Sequence, residues 1–393
     1  MVMTTQMQAY LEASQEELKQ LIRDLCAIPA PSHHEEKRAA FCKEWFEANG
    51  GKDVYIDEAL NVICPHHVTD DNRIVVFMAH TDTVFPDLEP MPFVETEETF
   101  QCPAVCDDTT NLAVMMICAR YFLQHDIAPK TGILFIANSC EEGLGNLKGS
   151  RAIVEQFGSR MDALVTFDGL RLNKITNHAV GSHRYRVTVK TEGGHSFGAF
   201  GNRNAIAVLA SMIDTLYSVK VPKEDNSKTT YNVGTISGGT SVNTIAQEAE
   251  MLYEYRSDNR NCLAKMEDMF HKVVEAYRAM GVEVEVELVG NRPCGGDVDP
   301  EAQTALNALA AESICRVTGE EPVYLSGSTD CNIPLSVGIP AVCMGVCVGA
   351  GAHTRTETLN LSSLPQGSTL CMDFLCHFFT KGAFLPGVKH EHR

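Results

Sequence analysis

Long apolar runs are missing from this chain of 393 residues. No uninterrupted apolar stretch reaches the roughly 20 residues that a transmembrane helix requires. The start of the chain also lacks the basic segment and the apolar segment that together are typical of a secretory signal peptide. We therefore expect a protein that neither crosses a membrane nor enters the secretory pathway.

Paired cysteine motifs are also absent. The chain contains 15 cysteines, an odd number, and none are spaced C-x-x-C. Most lie inside apolar runs such as Met115-Met116-Ile117-Cys118, where cysteine acts as a small hydrophobic residue. This usage predicts reduced cysteines, a cytoplasmic location and no structural zinc site built from cysteine.

Basic residues are scarce relative to acidic ones. There are 32 Lys and Arg against 51 Asp and Glu, which gives a formal net charge of −19. A chain this acidic is a poor partner for nucleic acids and for anionic membranes. Its apolar content of 44% is ordinary for a globular protein, and its length is sufficient for two domains.

The order of the predicted elements indicates an α/β fold. Two amphipathic helices, 6–28 and 33–49, come first, and Ser32 is the expected N-cap of the second. The elements that follow are strands at 54–57, 61–64, 74–80, 131–139 and 162–167, with helices at 108–124 and 148–157. Because several of these strands are almost wholly apolar, both faces of the sheet should be covered. We expect a three-layer domain with a mixed, mostly parallel sheet.

A different order of elements interrupts this pattern between residues 182 and 292. The predicted elements there are a strand at 184–191, a helix at 204–219, strands at 229–236 and 247–255, a helix at 261–280 and a strand at 282–289. This β-α-β-β-α-β order is the ferredoxin-like arrangement. The α/β pattern then resumes with a helix at 300–318, strands at 322–325 and 339–344, and a helix from about 362 to 380. We therefore predict a discontinuous domain, 1–181 and 293–393, interrupted by a smaller domain, 182–292.

Histidines and acidic residues follow the apolar strands. The set consists of His80, Asp82, Asp107, Asp108, Glu141, Glu142, Asp168 and His353. In an open α/β sheet, ligands bind beyond the carboxyl ends of the strands, so these side chains should meet at one edge. His80 and Asp82 are two residues apart on extended backbone and share a face, which suits a histidine ligand held by a carboxylate.

Two histidines and several carboxylates form a donor set suited to Zn²⁺, Mn²⁺ or Co²⁺. Without cations, these adjacent carboxylates would repel one another and raise one another's pKa values. Two divalent ions that share a carboxylate would relieve this repulsion. Such a pair of ions also supplies a hydroxide nucleophile near neutral pH. The pattern therefore predicts a site for two metal ions.

Two other segments contain residues that are typical of binding motifs. His33-His34-Glu35-Glu36 could hold a metal, but its place at a helix start favours a solvated helix face. Gly143–Gly149 follows a predicted strand and opens a helix, but it is one residue too long for a dinucleotide loop. Two acidic residues precede it, which is unfavourable for a pyrophosphate. A nicotinamide-dependent oxidoreductase is therefore disfavoured.

Taken together, the motifs resemble the dinuclear zinc exopeptidases and deacylases, the family of peptidase T, acetylornithine deacetylase and the glutamate-releasing carboxypeptidases. The pieces occur in that family's order and span nearly the whole chain: HTDTV (80–84), CDD (106–108), EEG (141–143), FDG (167–169), GGHS (193–196), NTI (243–245), YR (255–256), STD (328–330) and GAHT…E (351–357). The contexts HTDTVFP and EEGLGNLKGS are most similar to the peptidase T branch.

The resemblance implies a set of metal ligands. His80 and Asp168 would bind one ion, and Glu142 and His353 would bind the other. Asp107 would bridge the two ions, which would be zinc, with manganese or cobalt as alternatives. The peptide bond between Asp107 and Asp108 is expected to be cis, as it is in relatives.

The resemblance also implies catalytic and substrate-binding residues. Glu141 would be the general base that takes a proton from the metal-bridging water, and Asp82 would orient a metal ligand, His80. His195 would stabilise the oxyanion, in many relatives across a dimer interface. Asn243 and Arg256 would contact the substrate, with the planar guanidinium of Arg256 suited to a carboxylate.

Two positions depart from the family's pattern. Thr109 stands where relatives often have lysine, and Cys106 stands where peptidase T relatives often have alanine or glycine. Neither change removes a metal ligand, but both concern the assignment of the chain to the peptidase T branch and its substrates.

These observations predict a two-metal hydrolase of peptide or amide bonds, most simply an aminopeptidase that acts on short peptides as a tripeptidase does. A deacylase of N-acyl amino acids or a dipeptidase would use the same metal core. An inactive binding protein on the same scaffold would lack the base or a ligand, and none is missing. A homodimer is expected through the insert, by way of edge strands such as 184–191.

Overall fold

The computed structural model describes residues 2–379. The chain divides into two compact units, of which the first contains the residues up to His178 and those from Gly296 onward, and the second spans Ala179–Gly295. The predicted insert, 182–292, lies within the second unit. Between residues 2 and 379, every helix is too short or too polar to cross a bilayer.

Helices and strands both occur throughout residues 2–379. The helices are α1 (Thr5–Ala13), α2 (Gln15–Cys26), α3 (Glu36–Ala48), α4 (Asn111–Gln124), α5 (Lys148–Phe157), α6 (Ala205–Tyr217), α7 (Arg260–Ala279), α8 (Pro300–Thr318), α9 (Asn332–Ser336) and α10 (Leu364–Cys376). The strands are β1 (Tyr55–Ile56), β2 (Val62–His66), β3 (Ile74–His80), β4 (Val94–Glu95), β5 (Thr99–Gln101), β6 (Gly132–Asn138), β7 (Met161–Phe167), β8 (Lys174–Ala179), β9 (Gly181–Lys190), β10 (Gly194–His195), β11 (Thr229–Gly238), β12 (Thr244–Ile245), β13 (Glu248–Ser257), β14 (Glu283–Arg292), β15 (Val323–Gly327), β16 (Ala341–Met344), β17 (Gly349–Ala350) and β18 (Thr358–Asn360).

An eight-stranded mixed sheet lies at the centre of the first unit, in the order β1-β2-β6-β3-β7-β16-β8-β15. The four strands β6, β3, β7 and β16 pair in parallel. Strands β1 and β2, and β8 on the other side, pair antiparallel to their neighbours. Every residue of β3 and β6 is buried, so both faces of the sheet are covered. The predicted three-layer α/β fold is confirmed.

Aromatic side chains fix the central strands to the layer of helices. The Phe77 ring of β3 stacks at 6.0 Å from Phe135 of β6 and at 6.3 Å from Phe167 of β7. It also meets Phe374 of α10 and Phe378 edge to face. These five rings are buried in the same apolar core, and such pairs contribute beyond their buried area.

The second unit contains a four-stranded antiparallel sheet in the order β11-β13-β9-β14. Tyr185, Val187 and Val189 alternate along β9 and pack in one core with Leu209 of α6 and Phe270 of α7. The strand-helix order is the β-α-β-β-α-β order expected from the sequence. The small pair β10-β12 is an addition to it.

The prediction that 184–191 forms an edge strand is wrong. Residues 184–190 belong to β9, which lies between β13 and β14. The edges of this sheet are β11 and β14. The half-polar alternation of β9 was compatible with an edge, but that pattern reports only which face is buried and not which strands lie alongside.

Three local predictions also differ from the structure. The helix predicted over 6–28 is broken at Ser14, whose hydroxyl donates to the Tyr10 carbonyl at 2.8 Å. Ser32 does not cap a helix, because α3 begins only at Glu36. The last helix, predicted to reach 380, ends at Cys376 and is followed by one tight turn up to Phe379; residue 380 lies outside the described part of the chain.

Candidate metal centre

The predicted ligands lie at the carboxyl ends of the central parallel strands. His80 is the last residue of β3, Glu142 follows β6, and Asp168 follows β7. Because β6, β3 and β7 are parallel neighbours, these ends meet at one edge of the sheet.

Asp107 lies between two histidines. Its Oδ1 atom is 3.1 Å from Nε2 of His80, and its Oδ2 atom is 3.1 Å from Nε2 of His353. The same nitrogen of His353 is 3.0 Å from Oε1 of Glu142. Each oxygen of Asp107 therefore faces a different imidazole, which is the placement that a bridging carboxylate needs.

The donor atoms form two groups that share Asp107. His80, Asp107 and Asp168 each offer one atom, and these atoms lie within 4.8 Å of one another. Asp107, Glu142 and His353 form a second group of the same size. Three nitrogen and oxygen donors with room for a further ligand are typical of catalytic zinc sites. The residues present thus fit two divalent ions with one shared carboxylate.

The pKa values of the groups in this cluster also indicate that cations would stabilise it. Burial, followed by repulsion from Asp107, raises the pKa of Asp168 to about 7. Hydrogen bonds to Asp107 and Glu142 raise the pKa of His353 to about 10. Burial lowers the pKa of His80, but nearby carboxylates reverse this and hold it well above its usual value. Protons thus take the place of the positive charge that metal ions would supply.

Asp82 is fully buried, and both oxygens of its carboxylate accept hydrogen bonds from the protein. Its Oδ2 accepts the Ser32 hydroxyl at 2.6 Å and the Glu142 backbone N–H at 2.9 Å, and its Oδ1 accepts the Glu141 backbone N–H at 2.9 Å. Nδ1 of His80 lies 3.0 Å from the backbone carbonyl of Asp82 and 3.3 Å from its Oδ1. Asp82 therefore faces the side of His80 opposite to Asp107, as a carboxylate that holds a histidine ligand does.

Glu141 is almost fully buried, with 5% of its surface exposed. One of its carboxylate oxygens lies within 4.8 Å of donor atoms of His80 and Glu142. Its backbone is held by the hydrogen bond to Asp82. The carboxylate predicted to be the general base thus lies beside the donor cluster.

The turn Val105–Thr110 carries Asp107 into the cluster. The peptide bond between Asp107 and Asp108 is cis, as predicted. Both residues depart from helical backbone angles, so the regular helix begins at Asn111 rather than at 108. Asp108 turns inward and accepts the backbone N–H of His80 at 2.9 Å.

Two buried residues without a predicted role hold this turn. Oε1 of Glu357 accepts the backbone N–H groups of Cys106 at 2.7 Å and Asp107 at 2.8 Å. The side chain of Asn111 donates to Oδ1 of Asp108 at 2.7 Å. The sequence marked Glu357 as the glutamate of the GAHT…E motif. Nothing in the sequence marked Asn111 beyond its place near the start of a predicted helix.

His195 and Asn243 are neighbours in the second unit. His195 of β10 pairs with Thr244 of β12, and the Ser196 N–H donates to the Asn243 carbonyl at 2.9 Å. Nδ1 of His195 accepts two backbone N–H groups, from Phe197 at 3.3 Å and Gly198 at 3.2 Å. An acceptor Nδ1 places the proton of the neutral ring on Nε2, which is then free to donate.

Arg256 is bound to a carboxylate of its own chain. Its Nε lies 3.0 Å from Oε1 of Glu254, and its Nη2 lies 3.2 Å from Oε2. Glu254 also accepts from Nε of Arg184 at 3.2 Å. The planar fork of Arg256 therefore already binds a carboxylate with two contacts.

In the segment His33–Glu36, the residues His33, His34 and Glu36 are exposed as predicted, but Glu35 is not part of a solvated face. Glu35 is fully buried, and its Oε1 accepts the backbone N–H of Cys140 at 3.0 Å. For Glu35 the prediction was wrong, because this contact joins segments more than a hundred residues apart, which local periodicity does not report.

His66, His67 and Asp126 form a separate group of ligand-type side chains. Nε2 of His67 is 3.1 Å from Oδ1 of Asp126, but Nε2 of His66 is engaged by the Ile127 carbonyl at 2.7 Å. Lys52 lines the same cavity and opposes a cation there. The donor set around Asp107 is the better metal site.

Known proteins share both the sequence and the fold of this chain. The model of Peptidase family M20/M25/M40 matches residues 76–377. The uncharacterized protein YqjE of Bacillus subtilis (strain 168) is 26% identical over 359 residues, which cover 87% of this chain and 92% of that protein. A putative succinyl-diaminopimelate desuccinylase of Mycobacterium tuberculosis is 22% identical over 362 residues, which cover 91% of this chain and 97% of that protein.

A solved tripeptidase from Staphylococcus aureus has the same fold, with a TM-score of 0.71 at 23% identity. The match covers 92% of this chain and 97% of the tripeptidase. The family model spans well over half of the chain and includes His80, Asp107, Glu142, Asp168 and His353. On these grounds the chain belongs to Peptidase family M20/M25/M40 and is a metallohydrolase of peptide or amide bonds.

Proposed function

We propose that this chain is an aminopeptidase that hydrolyses short peptides with the help of two divalent metal ions. The observation that carries the proposal is Asp107, whose two carboxylate oxygens each lie 3.1 Å from a different histidine nitrogen. Glu142 and Asp168 complete the donor groups on either side of it. This mixed nitrogen and oxygen set suits zinc, with manganese or cobalt as alternatives.

Five side chains would hold the two ions. His80 and Asp168 would bind one ion, Glu142 and His353 would bind the other, and Asp107 would bind both. When bound, the ions would lower the pKa of water and polarise the carbonyl of the scissile amide. The raised pKa of Asp168 supports this arrangement, because a buried carboxyl beside Asp107 is stabilised in its charged form by a cation.

The remaining residues would move protons and stabilise charge. Glu141 would accept a proton from the attacking water and deliver it to the leaving amine, and its burial favours such a role. Asp82 would hold the ring of His80 through Nδ1. His195 would donate Nε2–H to the developing oxyanion, because its Nδ1 is already an acceptor.

Asn243 and Arg256 would bind the substrate. The guanidinium of Arg256 already holds Glu254 with two contacts, and a substrate carboxylate would take the place of that partner. The side chain of Asn243 is exposed, and its Oδ1 accepts the Ser241 hydroxyl at 2.9 Å, so the NH2 group of the amide would donate to a peptide.

A peptide substrate is supported by the likeness to the staphylococcal tripeptidase. A second candidate is a deacylase of N-acyl amino acids, which the likeness to the mycobacterial desuccinylase favours. A dipeptidase would use the same donor cluster. The three activities differ in what lies beyond the scissile bond: a free amine needs a nearby acid, and an acyl group needs an apolar pocket.

A metal-reconstituted assay would separate these candidates. Purified protein is stripped of metal, reloaded with zinc, manganese or cobalt, and assayed on tripeptides, dipeptides and N-acetyl amino acids. We expect cleavage of tripeptides that a chelator abolishes and that Glu141→Ala removes. Activity that ignores chelators or survives Glu141→Ala would refute the mechanism. A preference for N-acetyl amino acids would favour the deacylase.

We also propose a cytoplasmic homodimer formed through the second unit. All 15 cysteines are free and all but Cys315 are buried, which suits a reducing compartment. Strand β11 is an edge of its sheet, and most of its residues are exposed, so it can pair with a second copy. Light scattering that gives a monomer at micromolar concentration would contradict this dimer.

A further inference from the structure

Glu357 is a fully buried carboxylate in the loop that carries a predicted metal ligand. It lies four residues after His353, at the end of the segment Gly351–Glu357. Its Oε1 atom accepts the backbone N–H groups of Cys106 at 2.7 Å and Asp107 at 2.8 Å. Glu357 thus connects the His353 loop to the backbone of the bridging carboxylate, which is 250 residues away in sequence.

Burying a carboxylate costs free energy, so a fully buried one such as Glu357 should have a role. A buried ionised carboxylate needs hydrogen bonds to replace its hydration. Only one of the two oxygens is satisfied within the described residues, because Oε2 of Glu357 has no hydrogen-bond partner there. A side chain placed only for stability would be better replaced by an apolar one of similar volume.

The two N–H groups have no regular partner of their own. They belong to the turn Val105–Thr110, where Asp107 leaves helical geometry with φ −104° and ψ 88°. Because Asp107 lies outside helical geometry, the acceptor on Glu357 fixes its backbone together with Asn111, whose side chain donates to the Cys106 carbonyl at 3.1 Å and to Oδ1 of Asp108 at 2.7 Å. The direction of the Asp107 side chain, with one oxygen toward each histidine, follows from that backbone position.

We propose that Glu357 is a positioning residue that holds Asp107 between the two metal ions and joins it to the loop of His353. This inference rests on the proposed two-metal function. Because Glu357 contacts the backbone of one ligand and lies in the loop of another, it acts on the group Asp107, Glu142 and His353. An ion bound by that group would depend on Glu357 more than an ion bound by His80 and Asp168.

Variants of Glu357 can distinguish a positioning role from a contribution to folding alone. Glu357→Ala removes the acceptor and leaves the N–H groups of Cys106 and Asp107 without this hydrogen bond. Glu357→Gln keeps an oxygen that can accept both bonds. Loss of a partner that supports metal ligands typically weakens metal affinity by about 10–100-fold. We expect Glu357→Ala to lose affinity for one of two ions by about this factor, and Glu357→Gln to bind both ions nearly as the wild type does.

A matched control is available at Asp373. This carboxylate is also buried in the first unit, and both of its oxygens accept Nη1 of Arg316 at 2.8 Å, away from the donor cluster. Asp373→Ala should lower the thermal midpoint without changing the number of ions bound. A drop in stability alone therefore does not imitate the expected result for Glu357.

The test is metal counting and zinc titration against a chelating dye on full-length protein, for wild type, Glu357→Ala, Glu357→Gln, Glu357→Asp and Asp373→Ala. Two ions in the wild type and one weakened ion in Glu357→Ala, restored in Glu357→Gln, would support the inference. Two ions with wild-type affinity in Glu357→Ala would overturn it.

Glu357→Asp covers the case in which the alanine variant does not fold. It keeps the charge but is one methylene shorter, so it reaches the two N–H groups poorly and should also weaken one ion. Wild-type affinity in Glu357→Asp would overturn the inference. A wild type that binds no zinc would instead refute the proposed function, which is a distinguishable outcome.

Discussion

His80 and Asp82 are two residues apart and contact each other, but their other partners differ. Nε2 of His80 faces Asp107, whereas Asp82 is bound by Ser32 and by the backbone of Glu141 and Glu142. The same strand end thus supplies one side chain to the donor cluster and one to its support. Substitutions of His80 and of Asp82 should therefore have different effects on metal content.

We expect His80→Ala to lose one ion and Asp82→Asn to keep most of both ions while its activity falls about 10–100-fold. Asparagine keeps the shape of Asp82, but its amide nitrogen would face a backbone N–H group or the Ser32 hydroxyl. Metal analysis and kcat/KM on both variants measure the difference. Complete loss of an ion in Asp82→Asn would mean that Asp82 binds metal directly.

Glu141 should be separable from the ligands by kinetics. Glu141→Gln keeps the size of a nearly buried side chain but removes the base. We expect kcat to fall by about 10²–10⁴-fold with metal content unchanged. Glu155→Gln, at an exposed position of α5, is the matched control and should keep wild-type kcat. A Glu141→Gln variant with more than a tenth of wild-type kcat would contradict the assignment of the base.

At the scale of elements, β3 joins the core to the donor cluster. Its seven residues are buried, and its last residue is His80. Phe77 lies at the centre of a group of five phenylalanine rings that includes two from neighbouring strands and two from the C-terminal helical region. The strand that presents His80 is therefore anchored from several sides.

Phe77→Ala should destabilise the fold by about 3–5 kcal/mol, because it removes a ring from a packed core and leaves a cavity. Phe197→Ala, at a position 90% exposed, should change stability by less than about 0.5 kcal/mol. Urea unfolding followed by fluorescence or circular dichroism measures both. Equal stability losses would show that the Phe77 ring contributes little to the core.

The sequence was sufficient to predict the elements that end at the site but not the contacts that hold it. Apolar strands before His80, Glu142 and Asp168 are local patterns, and parallel strand ends converge by topology alone. Ser32, Glu35 and Glu357 were misread or left without a role, because their partners lie far away in sequence. The place of β9 inside its sheet was missed for the same reason, since alternation does not report neighbours.

At the scale of the whole molecule, net charge and metal loading act together. The chain carries a formal charge of −19, and the donor cluster concentrates carboxylates in a small buried volume. Cations bound only by the folded state stabilise it by mass action. The metal-free protein must instead retain protons on groups that are charged in water, which makes its stability depend on pH.

For the buried carboxyl groups Asp168 and Glu357 this dependence has a definite sign, and it opposes the effect of His66, His183 and His377, whose pKa values burial lowers. Burial raises the pKa of Asp168 from 3.8 and that of Glu357 from 4.5, in each case to about 7. A carboxyl group with a higher pKa in the folded protein binds more protons there than in the unfolded chain, so stability falls as pH rises between the two values. The lowered pKa of Asp107 acts only below its usual value of 3.8, and the raised pKa of His353 adds a loss only above 6.5.

We therefore expect the thermal midpoint of chelator-treated protein to fall between pH 5 and pH 7, and the zinc-loaded protein to show a weaker dependence, because bound cations stabilise the charged carboxylates. Chelator-treated Asp168→Asn has no carboxyl group to ionise at this position, so its midpoint should change less with pH than that of the wild type. Scanning calorimetry at several pH values, with and without zinc, measures all three. A chelator-treated wild type whose midpoint rises over this range would show that the cluster is ionised without cations, and the electrostatic argument for two metal ions would lose its basis.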